Sequence, residues 1–319
     1  MNREVRSSIF NSKKVKILFN WGILIVFLVL LDQLLGSFLN NALYKTRSGA
    51  SGGTLINALE TNSDILLTGS SRAVLSLDPQ IFESNLEGIS CVNVARNGSG
   101  IRYSTAILHL ISQKKSLPKY ICLEVSPKSR EDGTWIMPFK HFIENNDDLS
   151  NFILSMVEKP RRFQIAMLSN LYRFNDIIFG VFNPKRSENI GGYVPYIPNP
   201  SKPVNIKVQE RSVPNISASL SLTTKNDLIG FIAASKKYDI KPILIIFPRI
   251  SNVKYWNYKN DALVNYSEEQ DVTILRYDII EDYPWINDIA YYYDSDHLNI
   301  NGAEKLSNII AKDLKNILK

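Results

Sequence analysis

The chain contains 319 residues, of which 45 % are apolar, enough for one α/β domain with a core of ordinary size and some additional segments. Its 37 lysine and arginine residues exceed its 31 aspartate and glutamate residues, giving a formal net charge of +6. The basic residues concentrate at the N-terminus and are mixed with acidic residues elsewhere. This distribution argues against a nucleic-acid partner, which requires a continuous basic face.

An apolar segment at residues 17–39 follows a basic tail at residues 1–16. A stretch of this length can cross the hydrocarbon core of a bilayer as a helix. The basic residues before it, against only Lys45 and Arg47 just after it, predict a cytoplasmic N-terminus and an extracytoplasmic C-terminal domain. We favour an uncleaved single-pass anchor over a cleaved signal peptide, because the segment is long and lacks a good small-residue cleavage site. Asp32 is expected to reach the membrane interface; the alternative is an intramembrane partner site.

Residues 40–62 are predicted to form a linker, because residues 48–53 consist mainly of glycine and serine. The remaining chain, residues 63–319, contains five apolar runs with little alternation, typical of strands in a sheet covered on both faces. Both cysteines, Cys91 and Cys122, fall in these runs and are interpreted as small core residues without a disulfide. The predicted strands cover residues 64–68, 90–94, 120–125, 242–247 and 272–277.

Helical segments alternate with the predicted strands, and the first begins at Asp78-Pro79, a typical N-cap and first helical residue. This alternation predicts a doubly wound α/β fold, a flavodoxin-like three-layer sandwich around a parallel sheet. The predicted helices cover residues 78–84, 101–113, 224–238, 256–269 and 301–318.

An insertion at about residues 128–222 separates the third and fourth predicted strands and is far longer than a crossover requires. We expect it to cover the functional site. Two amphipathic helices are predicted within it, at residues 148–158 and 161–179. Tyr193 and Tyr196, in an aromatic and proline-rich stretch, either stack on sugar rings or cover apolar surface under a long loop.

A Gly69-Ser70-Ser71 turn follows the first predicted strand and leads into a helix. In open α/β sheets, ligands bind at the carboxyl ends of the strands. The free backbone N–H groups of a helix that starts there favour negative charge. The turn therefore places a serine hydroxyl where an oxyanion would be stabilised.

The segment Asp294-Ser295-Asp296-His297 supplies a carboxylate three residues before an imidazole. In a turn, Asp294 can accept the Nδ1 proton of His297 and leave Nε2 facing outward, as a serine nucleophile requires of its base. Asp296, beside the histidine, is expected instead to cap the helix that begins near Asn299. A metal site is not predicted, because the three ligand-type residues have no second cluster elsewhere.

These two motifs resemble the first and last blocks of the SGNH (GDSL-type) hydrolase superfamily, Gly-Asp-Ser and Asp-x-x-His. Ser70 stands where the family usually has aspartate, a variant also found in membrane-anchored acyl-transfer relatives of bacterial envelopes. The resemblance implies that Ser71 is the nucleophile, with His297 as its base and Asp294 orienting the imidazole. It also implies an oxyanion hole formed by the Ser71 N–H and a second-block glycine, Gly98.

Other donors remain candidates for the predicted oxyanion hole. Gly100 is the alternative to Gly98, and Asn97 supplies a donor if its side chain turns inward. The family's third block, Gly-x-Asn-Asp, has no match here, because the strand at residues 120–125 runs into Ser126-Pro127-Lys128. The candidate replacements for its asparagine are Ser126, Lys128 and Arg249.

Two arginines are candidates for binding an anionic group of the substrate. Arg249 follows the fourth predicted strand, and Arg96 precedes the candidate oxyanion glycine. The alternative for both is a surface salt bridge.

The resemblance implies an extracytoplasmic serine esterase or O-acyltransferase that acts on acyl esters, expected to be acetyl, of cell-surface polysaccharide. Its expected partners are an acylated glycan or another ester substrate, the lipid bilayer and envelope polysaccharide machinery, and no cofactor is predicted. The alternative is a catalytically decayed protein of the same fold that serves in polysaccharide binding or envelope assembly. The missing third-block asparagine favours that alternative.

Overall fold

A computed structural model describes most of the chain. The predictions for Lys128, for most of the N-terminal basic tail and for the end of the helix expected at 161–179 lie outside the described residues. The described residues are 12–46, 52–126, 134–156, 161–175, 190–198, 206, 211–213, 215, 218–251 and 253–318.

Five parallel strands form one sheet in the order β2-β1-β3-β4-β5. All five lie where the sequence predicts strands, shifted by no more than one residue at either end. Apolar side chains dominate them because helices cover both faces of the sheet. The strands are β1 (Ile65–Thr68), β2 (Cys91–Asn93), β3 (Tyr120–Val125), β4 (Lys241–Ile246) and β5 (Thr273–Arg276).

Both cysteines are buried and free, as predicted. Cys91 pairs with Ile65 in the sheet and Cys122 pairs with Leu67, so the two thiols lie on opposite sides of β1. Burial raises the pKa of each thiol, which makes both cysteines inert core residues.

The helices form a layer on each face of the sheet. On one face lie α2 (Gly52–Glu60), α5 (Ile101–Ile111), α9 (Leu222–Lys237) and α10 (Val253–Glu269). On the other face lie α3 (Ser71–Ser76), α4 (Pro79–Asn85) and α11 (Ile300–Ile317). The fold is therefore mixed α/β with a five-stranded parallel sheet, as the alternating pattern predicts.

The two helix caps predicted from the sequence have different outcomes. Asp78 caps α4 as predicted, with Oδ1 accepting a hydrogen bond from the Gln80 N–H at 3.0 Å. The cap expected of Asp296 is wrong, because Asn299 caps α11 and accepts from two backbone N–H groups. Asn299 directly precedes the helix, which lets its short side chain reach the free N–H groups of the first turn.

The N-terminal helix α1 (Ser12–Thr46) is the one described helix that is long and apolar enough to cross a membrane, from Val15 to Tyr44. Every residue from Val15 to Leu31 is exposed. Farther on, α1 packs on the domain, where Gly36, Leu39 and Leu43 are buried.

The linker predicted at residues 40–62 is wrong for residues 40–46 and 52–60, which are helical, while residues 47–51 lie outside the described residues. Helix α1 continues to Thr46, and α2 begins at Gly52. Leu55, Ile56 and Ala58 of α2 are fully buried. Burial of this apolar face outweighs the low helix propensity of the glycines before it.

The insertion contributes a 3₁₀ helix (Thr134–His141) and the helices α6 (Asp147–Met156), α7 (Arg161–Leu168) and α8 (Asn170–Arg173). The single helix predicted at 161–179 is wrong, because α7 ends at Leu168 and α8 begins at Asn170, with the non-helical Ser169 between them. The Ser169 hydroxyl caps α8 by accepting from the Tyr172 N–H, and a serine favours such a cap over a helix interior.

Candidate active site

A cleft of about 600 Å³ opens at the carboxyl ends of the strands, where residues after β1, β2, β3 and β4 converge. No residue of α6 to α8 lines it, so the expectation that the insertion covers the site is supported, among its described residues, only by Arg211. Cleft-lining residues include Ser71, Gly98, Gly100, Ser126, Arg211, Arg249, Trp256 and His297.

The turn after β1 holds Ser71 at the first position of α3. Gly69 adopts φ +144°, a conformation that favours glycine, and a Cβ there would lie only 2.7 Å from the Glu124 Cβ. Ser70 caps α3, with Oγ accepting from the Arg72 N–H at 3.3 Å. The Ser71 backbone N–H thus belongs to the first helical turn, whose N–H groups have no partner within the helix.

Ser71, His297 and Asp294 form a continuous chain of hydrogen bonds. The Ser71 Oγ lies 2.7 Å from the His297 Nε2. The His297 Nδ1 lies 2.8 Å from Asp294 Oδ2 and 2.9 Å from Oδ1. Because a carboxylate can only accept, Nδ1 carries the proton and Nε2 accepts from the serine hydroxyl. The structure thus brings together the three residues predicted to act in proton transfer, Ser71, His297 and Asp294, which we call the relay. They meet although 226 positions separate Ser71 from His297.

The Asp294 carboxylate also shapes the turn that carries His297. Its Oδ1 accepts from the backbone N–H groups of Asp296 and His297, each at 2.8 Å. Burial raises the pKa of the Asp294 carboxyl, but the hydrogen bonds from His297 and from these N–H groups outweigh that effect and bring the pKa below its usual value. Asp294 therefore remains ionised and keeps the imidazole in one orientation.

No protein-family model matches this chain, and no curated protein matches it. Within the described residues, no group of three or more histidine, cysteine, aspartate or glutamate side chains is placed to hold a metal ion.

Glu124 belongs to the site but is not among the site residues predicted from the sequence. Its Oε2 accepts from the Ser70 hydroxyl at 2.7 Å and from the Ser70 backbone N–H at 3.1 Å. Its Oε1 lies 3.2 Å from the Arg72 Nη1, an ion pair too poorly aligned for a hydrogen bond. A glutamate inside the apolar strand Tyr120–Val125 is itself a signal, since a buried carboxylate requires partners.

Arg72 is buried beneath the same turn. Its Nη2 donates to the Pro248 carbonyl at 3.2 Å, and its guanidinium lies 5.5 Å from the centre of the Phe247 ring. Burial, together with repulsion from Arg249, lowers the pKa of Arg72 to about 10. The Glu124–Arg72 pair therefore places two compensating charges under the turn that carries Ser71.

Arg249 joins three sides of the cleft. Its Nη1 donates to Asp296 Oδ1 at 2.6 Å, and its Nη2 donates to the Ser126 hydroxyl at 3.2 Å. Its guanidinium lies 4.2 Å from the centre of the Trp256 ring. The salt-bridge alternative is therefore correct in part, because Arg249 pairs with Asp296 while still lining the cleft.

The candidate oxyanion donors separate into two groups. Gly98, with φ +73°, and Gly100 both line the cleft. Asn97 is exposed and is absent from the cleft wall, which argues against the role expected for it. Arg96 Nη1 donates to the Ser99 hydroxyl at 3.3 Å. Gly98 and Gly100 therefore have the position in the cleft that an oxyanion donor requires.

The two tyrosines of the insertion pack against the domain. The Tyr196 ring lies against the Tyr293 ring at a tilt of 31°, with centres 3.5 Å apart, and the Tyr196 backbone carbonyl accepts from the Ile300 N–H. Burial raises the pKa of the Tyr193 hydroxyl. Neither side chain lines the cleft, so their contacts favour covering apolar surface over stacking on a sugar.

Proposed function

We propose that this protein is a serine-dependent esterase or O-acyltransferase. The observation that carries the proposal is the hydrogen-bond chain from the Ser71 hydroxyl through His297 to Asp294. An imidazole held between a hydroxyl and a carboxylate is the arrangement that converts a weak nucleophile into a reactive one. Its position in an open cleft gives an ester access to the Ser71 Oγ.

The first half-reaction acylates the enzyme. The Ser71 Oγ attacks the ester carbonyl carbon while His297 Nε2 takes the hydroxyl proton, and the carbonyl π electrons move to oxygen. When the tetrahedral intermediate collapses, the ester C–O bond breaks and the leaving alcohol takes the proton from His297. The products are acyl-Ser71 and a free alcohol.

The second half-reaction moves the acyl group to an acceptor. A sugar hydroxyl or water loses its proton to His297 and attacks acyl-Ser71, and collapse returns the proton to the Ser71 Oγ. Transfer prevails over hydrolysis when the acceptor excludes water from the cleft.

The negative charge on the tetrahedral intermediate requires donors. We assign the Ser71 N–H and the Gly98 N–H to this role. Ser126 is the proposed replacement for the missing asparagine, because its hydroxyl accepts from Arg249 and still has its own proton to donate. Loss of one oxyanion donor typically costs about 10²–10³ in turnover.

The strand order β2-β1-β3-β4-β5 and the position of Ser71 after β1 support a flavodoxin-like, SGNH-type fold for this domain. The long apolar helix α1 supports an anchored protein, and the basic residues before it favour an extracytoplasmic domain. For such a protein we propose acyl esters of cell-surface polysaccharide as the substrate class.

The test compares Ser71→Ala and His297→Ala with the parent protein, using the full chain in detergent. Each variant should reduce turnover of an aryl acetate by about 10⁴-fold or more, and Ser71→Ala should abolish labelling by a fluorophosphonate. Ser76→Ala, on the same helix, is the matched control, since its buried hydroxyl makes no hydrogen bond. Labelling that survives in Ser71→Ala contradicts the proposal.

The same experiment addresses the non-catalytic alternative. That reading is favoured by one observation, the serine and arginine at the place of the third-block asparagine. It predicts no turnover and no labelling in the parent protein. It also predicts that an acylated glycan binds the parent and Ser71→Ala equally well.

A further inference from the structure

The uninterrupted exposed run of α1 is slightly shorter than a membrane span. From Val15 to Leu31, where every residue is exposed, the helix extends about 25 Å at 1.5 Å per residue. A hydrocarbon core of about 30 Å requires roughly 20 residues. A span that starts at Val15 must therefore continue into the next turn, at Asp32 to Leu35, where α1 contacts α8.

Asp32 accepts three hydrogen bonds from the start of α8. Its Oδ1 accepts from the Ser169 hydroxyl and the Leu171 N–H, each at 2.9 Å, and its Oδ2 accepts from the Asn170 N–H at 2.8 Å. Gln33 adds a hydrogen bond from the Asn170 side chain at 3.1 Å. A carboxylate at the end of a membrane span is tolerated when protein groups replace water in this way.

Apolar side chains on α7 and α8 face solvent beside this junction. Leu168, directly before Ser169, is 83 % exposed, the highest fraction among the exposed large apolar side chains of the described residues. The exposed apolar residues of the two helices are Ile165, Met167, Leu168 and Leu171. Asp32, at the outer end of the proposed span, is hydrogen-bonded to the start of α8. In a membrane-spanning α1, these apolar side chains therefore lie at the level of the lipid interface.

We infer that α7 and α8 rest on the bilayer surface, with these side chains in the lipid interface, and that Asp32 locks them to the anchor. The occupant of this apolar face is lipid, because α8 contacts a helix that is itself long and apolar enough to cross the membrane, and α7 packs beside α8. The inference rests on the proposed membrane span and not on the chemistry of Ser71.

The proposed contact of α7 and α8 with the bilayer determines which way the cleft faces. The α1–α8 junction adjoins a cavity lined by Leu59, Leu110 and Lys114, at the C-terminal ends of α2 and α5. Those ends lead into the amino ends of β1 and β3, whereas the cleft lies at the carboxyl ends. Since β3 has six residues, the two edges are separated by about 20 Å. If the proposed function holds, the acyl ester arrives from the aqueous side, as part of a polymer or a soluble donor.

The test measures lipid contact at three positions of the full chain in phosphatidylcholine–phosphatidylglycerol nanodiscs. Phe27→Cys, Leu168→Cys and Ile289→Cys are each labelled with nitrobenzoxadiazole, whose emission shifts to the blue in lipid. The native cysteines are buried and stay unlabelled in the folded protein. Ile289 is the matched control, being 44 % exposed next to the turn that carries His297.

We expect blue-shifted emission and quenching by spin-labelled lipid at Phe27 and Leu168, and neither at Ile289. Lipid contact at Phe27 without contact at Leu168 contradicts the proposed contact of α7 and α8 with the bilayer but agrees with the membrane span of α1. No contact at Phe27 overturns both. Contact at Ile289 overturns the orientation of the cleft. Turnover of an aryl acetate by the unlabelled parent is measured separately, so failure of the catalytic proposal is distinguishable from each of these outcomes.

Discussion

Each edge of the parallel sheet has a hydrogen-bonded cluster of one hydroxyl, one imidazole and one carboxylate, but the order of the three groups differs between the two edges. At the carboxyl edge, His297 lies between the Ser71 hydroxyl and the Asp294 carboxylate. Toward the amino edge, the Tyr238 hydroxyl lies between His109 and Asp148, at 2.8 Å from His109 Nδ1 and 3.1 Å from Asp148 Oδ2. Only the first order leaves a hydroxyl whose proton the imidazole can accept.

The surroundings of the two clusters differ as much as their order. The His297 cluster opens on the cleft, whereas the His109 ring stacks on Phe152 with centres 4.6 Å apart. Burial lowers the pKa of His109 to about 4, with Lys237 adding to the effect and Asp148 opposing it. The His109 cluster therefore holds α5, α6 and α9 together, and the comparison shows that residue type alone does not identify a relay.

The largest effect is expected from Asp294→Asn, which removes the negative charge that orients the His297 imidazole. Asp294→Asn keeps the shape of the side chain but exchanges a proton acceptor for a group that can stabilise the wrong imidazole tautomer. We expect kcat/KM for an aryl acetate to fall by about 10⁴-fold while fluorophosphonate labelling slows in parallel. Steady-state kinetics and the labelling rate are the measurements.

Asp296→Asn is the matched control for this substitution. Asp296 is two residues away and pairs with Arg249, outside the relay. Its removal should change kcat/KM far less than Asp294→Asn does. Equal losses in the two variants would show that the turn, and not the relay, is being measured.

The second prediction concerns stability at the carboxyl edge. Glu124→Gln leaves the buried Arg72 charge without its partner, so the free energy of unfolding should fall by about 3–5 kcal/mol. Urea denaturation of the detergent-solubilised protein measures this change.

The control for Glu124 is an exposed ion pair. The Glu87 side chain is 90 % exposed and lies 3.6 Å from Lys315, so Glu87→Gln should change the free energy of unfolding by less than about 1 kcal/mol. A Glu124→Gln variant as stable as Glu87→Gln would mean that water reaches Arg72.

The strands and most helices were predictable because they depend on local apolar patterns and caps, such as Asp78-Pro79 before α4. The pairing of Ser71 with His297 was predictable because each motif states its own chemistry. The role of Glu124 was missed, since its contacts with Ser70 and Arg72 cross 54 and 52 positions of the chain. Helix α2 was missed for a related reason: its stability comes from burying Leu55 and Ile56 against the domain.

The smallest expected effect belongs to the amino-edge cluster and follows from the pKa of His109. That pKa lies below its usual value of about 6.5 in an unfolded chain, so in mildly acidic solution the unfolded chain binds a proton that the folded protein does not. The free energy of unfolding should therefore fall as the pH drops from about 6.5 towards 4.

His109→Gln removes this proton uptake while the other two histidines remain. Between pH 7 and pH 5, the parent should lose about 1–2 kcal/mol more than the variant does, measured by urea denaturation followed by tryptophan fluorescence. Equal pH dependence in the two proteins would mean that His109 is protonated in the fold. The contrast between the two edges would then lose its second support, because that contrast depends on an uncharged His109 ring packed against Phe152.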